Sequence, residues 1–177
     1  MADITFNTPA GLTIDRDLLV AYLNTGTSST PVWSPLGKRV NDSSESIDFG
    51  FETETDILGN NYTTGKKPTI SQTFEPMHLI SGNPVSEKIW NLAIKEQNYA
   101  ALAAQDILIV HSYAGTSGTP FAERYPESSL AVTGLGGQGG GTIEMPIDIN
   151  YGGERQTGTI TKDSTTGAIT FVPDSNN

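Results

Sequence analysis

Between Val40 and Gly65 the chain carries Asp42, Glu45, Asp48, Glu52, Glu54 and Asp56 and no basic residue, while Lys38, Arg39, Lys66 and Lys67 bracket the run. Two carboxylates at a suitable separation are the machinery of a glycosidase, one acting as acid and the other as nucleophile. That chemistry needs a cleft with aromatic platforms, and the strand from Ile47 to Asp56 offers only Phe49 and Phe51, on the side opposite the acids. The acids therefore read either as the wet face of a strand or as a surface whose negative charge is itself the function.

Other residues give weaker chemical signals. His78 and His111 are the only histidines, and no serine or aspartate beside them sits in a nucleophile context. Gly115-Thr-Ser-Gly118 is not a nucleophile elbow, which requires G-x-S-x-G. Gly134-Leu-Gly-Gly-Gln-Gly139 matches the G-x-G-x-x-G pattern, but a strand-like Gly140 to Pro146 follows it where a dinucleotide fold needs a helix. Asp148-Ile-Asn-Tyr-Gly152 resembles only part of a calcium loop. With no cysteine, the chain has no disulfide, thiolate metal site or cysteine nucleophile. The residues imply no cofactor, no metal and no enzyme.

Composition narrows the partners. The 177 residues suit one domain, residues 1–177, in which 151–177 read as a C-terminal β-hairpin extension. Ten Lys and Arg against 20 Asp and Glu give a net charge of −10, which repels phosphate backbones and anionic membranes. The start, MADITFNTPAG, lacks the basic and apolar regions of a secretory signal. The longest apolar run, Leu18 to Leu23, is far short of the roughly 20 residues that a membrane helix needs. The expectation is a soluble protein without a membrane anchor.

The elements that must position these residues are mostly strands. Asp17 to Leu23 and Ile107 to Tyr113 are apolar runs of the kind covered on both faces. From Ile47 to Asp56 the pattern alternates, with Ile47, Phe49 and Phe51 predicted to be buried and Asp48, Glu52, Glu54 and Asp56 wet. Thr69 to Glu75 is its predicted antiparallel partner, and Leu58 to Lys67 the turn between them. Ile143 to Asn150 gives a further half-buried strand, Ser129 to Thr133 a short one, and Thr157 to Thr161 with Ala168 to Val172 a closing hairpin. One helix is predicted after Asn83-Pro84, with Val85, Ile89, Trp90, Ala93 and Ile94 as its apolar stripe. Thr25 to Pro35 and Ala114 to Pro126 read as long loops.

The succession Glu52-Thr-Glu-Thr-Asp-Ile-Leu-Gly59, Tyr62-Thr-Thr-Gly-Lys-Lys67, Ile70-Ser-Gln-Thr-Phe-Glu-Pro76 and the following helix resembles the major tail protein, or tail tube protein, of long-tailed bacteriophages. The resemblance spans about Asp17 to Ile149. It implies a mainly β, sandwich or barrel-like tail tube fold with one flanking helix and a long inter-ring loop or hairpin. It also implies hexameric rings that stack into a hollow tube through which the genome is ejected. The partners implied are further copies of the chain and tape-measure, tail terminator and tail-tip proteins, with DNA passing through without specific binding. The implied location is the virion tail, assembled in the host cytoplasm. An acidic lumen suits this role, because it repels phosphates. On this reading Asp48, Glu52, Glu54 and Asp56 line the channel or the ring seam, and Lys66 and Lys67 meet acids of an adjacent subunit. The competing readings are a receptor- or glycan-binding β-domain, suggested by the Gly/Thr-rich loops, and a small hydrolase resting on the carboxylates alone.

Overall fold

The computed structural model describes residues 4–116 and 118–175. The chain runs through β1 (Leu19–Asn24), β2 (Trp33–Pro35), β3 (Glu45–Asp48), β4 (Glu52–Thr55), β5 (Asn61–Thr64) and β6 (Thr69–Phe74) before its helical segment. That segment comprises α1 (Pro84–Trp90), a π-helical turn (Asn91–Lys95) and α2 (Tyr99–Leu102). β7 (Gln105–Thr116), β8 (Thr119–Val132), β9 (Ile147–Tyr151), β10 (Gln156–Lys162) and β11 (Ile169–Pro173) complete it. The fold is mainly β, as the alternation and apolar runs predict.

All strands but β4 and β5 join in one antiparallel sheet of order β2-β1-β7-β8-β9-β6-β3, with β10 and β11 branching from β8. β8 makes this sheet a sandwich. Its first half lies between β7 (His111 opposite Phe121) and β10 (Gln156 opposite Arg124), whereas its last residues pair with β9 (Ser129 opposite Asn150). A register shift opposite Tyr125 to Ser128 marks the point where the strand passes from one layer to the other. Such irregularities bend and twist a strand.

The main core fills the space between the layers. Ala21 and Leu23 of β1, Ile107 of β7, Phe74 of β6, Leu130 of β8, and Ile147 and Ile149 of β9 meet there. Val85 and Ile89 of α1 close it. Asn83 Oδ1 accepts a hydrogen bond from Ser86 N at 3.0 Å and Pro84 takes the first helical position, as the sequence predicts; such a cap is worth about 1 kcal/mol. Each buried aliphatic of α1 adds about 1.5–3 kcal/mol, so packing rather than propensity holds this seven-residue helix. The opposite face of β7 is covered as well: Leu108 and Val110 pack with Trp33, Ala122 and Ile160 in a second cluster that Phe171 and Ile169 border. The predicted doubly covered character of β7 follows from these two clusters. The C-terminal hairpin β10–β11 is thus woven into the sheet through β8 and supplies part of the second core.

Several expectations need correction. Leu58 to Lys67 is not one turn, because Asn61–Thr64 form β5 and pair with β4, and the predicted loop Thr25 to Pro35 ends in a strand, β2. Ile47 to Asp56 is not one half-buried strand. Gly50, at φ +54, turns the chain between β3 and β4, so only β3 pairs with β6 (Ile47 opposite Ile70), while β4 pairs with β5. Ile47, Phe49 and Phe51 are consequently exposed rather than buried. Ala114 to Pro126 is not a long loop, because β7 and β8 continue through it and pair as far as Thr116 opposite Thr119. Pro120 and Pro126 are accommodated next to register irregularities, where a ladder N–H is dispensable.

Candidate functional site

β4 and β5 form a separate two-stranded arm, with Glu52 opposite Thr64, Thr53 opposite Thr63, Glu54 opposite Tyr62 and Thr55 opposite Asn61. An isolated hairpin is marginal in water, and this one is held by side-chain bonds at its end. Asp56 Oδ1 accepts from Leu58 N and Asn60 N, both at 2.8 Å, and its Oδ2 accepts from Asn60 Nδ2 at 3.0 Å and Tyr62 OH at 3.1 Å. These bonds, that from the Asn60 side chain foremost, hold the Asp56 carboxyl below its ordinary value. Thr53 and Thr63 hydroxyls meet at 2.9 Å, and Thr55 donates to Asn61 at 2.7 Å. At the root, Lys66 Nζ lies 2.6 Å from Glu52 Oε1 and Lys66 N donates to Phe49 O. A Cβ at Gly65 would come within 2.9 Å of the Phe51 ring, so this position must stay a glycine for the ring to lie over the backbone.

The arm has two chemically different sides. Strand alternation puts Glu52 and Glu54 on one face, with Tyr62 opposite Glu54. Phe51 falls on the other, stacked on Phe49 with centroids 5.6 Å apart. The turn carries Ile57, fully exposed, and Leu58, 80% exposed; Phe51 is 70% exposed. Single exposed aliphatics are ordinary, but two adjacent ones, Ile57 and Leu58, at the tip of a hairpin outside the main sheet are a candidate surface for another protein.

The structure brings some of the sequence-selected residues together and separates others. Glu52 and Lys66 pair with each other, within one chain. Asp48 Oδ1 accepts from Gly50 N at 2.8 Å and so secures the bend into the arm. Asp56 is committed to the turn, leaving Glu54 as an acid of this stretch with no ion pair among the described residues; Lys67 likewise makes none. His78 lies 2.9 Å from Thr142 Oγ1, and Asp148 and Asn150 sit in β9 rather than in a calcium loop. The glycine-rich segment turns back so that Gly136 bridges Glu144, and among the described residues no helix follows it.

A second polar cluster escapes the sequence reading. Glu123 of β8 receives Arg155 at both oxygens, at 2.8 and 3.0 Å, and the Tyr125 hydroxyl at 2.6 Å. His111 Nε2 lies 3.5 Å from the same carboxylate, and its Nδ1 lies 2.8 Å from the Tyr113 hydroxyl. Burial opposes the Glu123 charge, but His111, Arg155 and Tyr125 outweigh it and hold the carboxyl far below the usual range. Burial pushes Tyr125 and Tyr151 up. Glu45, at the start of β3, is raised by burial and by Glu123, against the pull of His111 and Arg16. The available signal was the alternation of His111 with Tyr113 and of Glu123 with Tyr125, which the loop assignment of Ala114 to Pro126 obscured. A third pair, Arg124 bidentate on Asp106 at 2.9 Å, sits over Trp33.

No family model and no curated protein matches this chain. Among solved structures, it is similar to a chain of the sheath–tube complex of an extracellular contractile injection system, PVC, in its extended state: 13% identity, TM-score 0.49, covering 85% of this chain and 94% of that one. It is also similar to a chain of the tube-terminating cap of the anti-feeding prophage, at 15% identity and TM-score 0.48, over 86% of this chain and 95% of that one. A chain of the anti-feeding prophage baseplate gives 10% identity and TM-score 0.45, over 85% and 96%. Likeness at this distance carries no function across, so function follows from the chain's own geometry.

Proposed function

We propose that this chain is a structural subunit of a phage-tail-like tube, which assembles with copies of itself into hexameric rings stacked as a hollow conduit for the genome. The observation that carries the reading is the β4–β5 arm: a hairpin outside the main sheet, capped by its own Asp56, whose Phe51, Ile57 and Leu58 are exposed within the protomer. A lone hairpin with apolar side chains in water gains its stability by packing on another molecule. Repetition of one chain is the simplest supply of such a partner, and a heterologous contact of this kind propagates into rings and stacks.

Charge supports the same reading. A net charge of −10 per subunit, multiplied around a ring, disfavours adhesion of nucleic acid to the conduit. Glu54 and its neighbours on the acidic face of the arm are the residues proposed to meet the channel or the ring seam, with Lys67 available to acids of a neighbouring subunit. Asp48, Asp56 and the Glu52–Lys66 pair act one step back, by shaping the arm that presents them. Tape-measure, terminator and tail-tip proteins are the remaining proposed partners, and the virion tail the proposed location. The role is structural rather than catalytic.

Light-scattering mass across a concentration series, read alongside micrographs of the same samples, tests this. Growth in mass with concentration and rings or hollow tubes support the reading. A single mass at every concentration with binding to cell-wall glycan would replace it with the adhesin reading.

A further inference from the structure

The end of β1 meets α1 in a polar cluster that the proposed assembly does not use. Asn24, the last residue of β1, is buried, and Lys88 of α1 donates from Nζ to its main-chain O at 2.5 Å, across 64 positions of sequence. Lys88 is half-buried there, whereas Lys38, Lys66, Lys67, Lys95 and Lys162 are all exposed. Burial pulls the Lys88 ammonium below its ordinary value, against the attraction of Asp106. A desolvated lysine gives up its proton more readily, and this is how proteins make an amine nucleophilic.

The Asn24 side chain is arranged as the matching electrophile. Its Oδ1 accepts from Gly26 N at 2.9 Å and from Val32 N at 3.0 Å. Two main-chain donors about 2.7–3.1 Å from one oxygen form an oxyanion hole, which stabilises the charge that a tetrahedral intermediate places on that oxygen. The β1–β2 loop is shaped to supply them: Thr25 N donates to Val32 O at 2.8 Å, and a Cβ at Gly26 would clash with Thr30 O. On the other side of the amide, Nδ2 donates to Asp106 Oδ2 at 3.1 Å. Arg124 holds both oxygens of Asp106, at 2.9 Å each, so this residue serves as a proton acceptor rather than as an acyl partner.

We infer that Lys88 and Asn24 form an isopeptide bond within the chain, with Asp106 moving the protons. Lys88 turns from the main-chain carbonyl of Asn24 to the side-chain one, and Asp106 takes a proton from its ammonium. Neutral Nζ attacks Asn24 Cγ, and the amides of Gly26 and Val32 hold the charge on Oδ1. Asp106 passes its proton to Nδ2 and takes a second from Nζ. The Cγ–Nδ2 bond breaks, and ammonia leaves, carrying the second proton off as ammonium. Nothing is oxidised or reduced, and no co-reactant is consumed. The bond ties β1 to α1 around the intervening chain, the β4–β5 arm included, and in a chain without cysteine it gives a covalent tie that reducing conditions leave intact.

Intact mass of the purified wild-type protein after prolonged incubation tests this, with Lys88→Arg as the reference and processing of Met1 allowed for in both. Most wild-type molecules are expected to lie below the sequence mass by one ammonia, and Lys88→Arg to keep its full mass. Tryptic digestion of the wild type is expected to yield residues 17–38 joined to residues 67–95, uncut at Lys88. A wild type at full mass overturns the inference. The same loss in Lys88→Arg overturns it too, because it marks a succinimide at an asparagine, and so does the loss of one water, which marks an acid as the acyl partner.

Discussion

The cluster around Glu123 and the arm around Glu52 to Asp56 are built from the same residue types and face opposite problems. In the cluster, the Glu123 carboxylate is largely buried and its bonds are made inside one protomer: Arg155 binds both oxygens and Tyr125 adds a third bond, while His111 Nε2, 3.5 Å away, is buried without a hydrogen bond of its own. In the arm, the charges are wet and contribute little, while the apolar side chains remain uncovered. The cluster therefore serves the stability of the monomer, whereas the arm is the part proposed to serve association. The difference teaches that carboxylate density along a sequence does not locate the chemistry; the completeness of the surroundings does.

Breaking the cluster should have the largest effect on folding. Glu123→Ala leaves Arg155 without its partner and strips the Tyr125 hydroxyl of its acceptor; Arg155 is 44% exposed and can turn to water, so the loss is that of a hydrogen bond to a charged group, about 1.5–3 kcal/mol, which urea unfolding at pH 7 would register as a lower midpoint. The sign with pH follows from the direction of the shift. Glu123 has a folded pKa below the ordinary 4.5 of the unfolded chain, so its contribution is complete above that value and is lost as pH falls toward the folded pKa. The acid slope of stability should be steep in the wild type and shallower in Glu123→Gln.

Asp56→Ala should act locally. The amides of Leu58 and Asn60 lose their acceptor, so hydrogen exchange at these two positions should speed up while the global unfolding midpoint stays in place. A smaller effect of opposite sign is expected at Glu45, whose folded pKa is raised above 4.5. Its ionised form is penalised in the fold above that value, and the penalty vanishes once folded and unfolded chains are both protonated. Glu45→Gln should therefore raise the melting temperature at pH 7, with the gain closing as pH falls below about 4. Lys66→Ala should change monomer stability least, because the Lys66–Glu52 pair is 67% and 61% exposed; a large loss there would blur the contrast between the two regions.

Much of the fold was legible because its signals are local. Apolar runs at Leu19 to Leu23 and Ile107 to Val110 mark strands covered twice, and Asn83-Pro84 followed by Val85 and Ile89 marks a capped, one-sided helix. The arm was legible as acidic and alternating, but a period of two does not say what covers the apolar face. Ile47, Phe49 and Phe51 look like core residues in sequence and lie at the surface because Gly50 bends the chain out of the sheet. The Glu123 cluster was illegible for a different reason: its members come from β7, β8 and the β9–β10 connection, and only the pairing of those strands brings them together. Prolines at 120 and 126, which suggest a loop, are absorbed at irregularities of one long strand.

The central claim is that the arm is an assembly element rather than a part of the folded monomer. Micrographs of wild type and of Ile57→Asp/Leu58→Asp at matched high concentration, with melting curves on both, test it most directly. The account predicts rings or tubes for the wild type, none for the variant, and melting temperatures that agree, since exposed sites shift stability by no more than about 0.5 kcal/mol. Tubes of unchanged length from the variant, or a variant that melts far below the wild type, would contradict it.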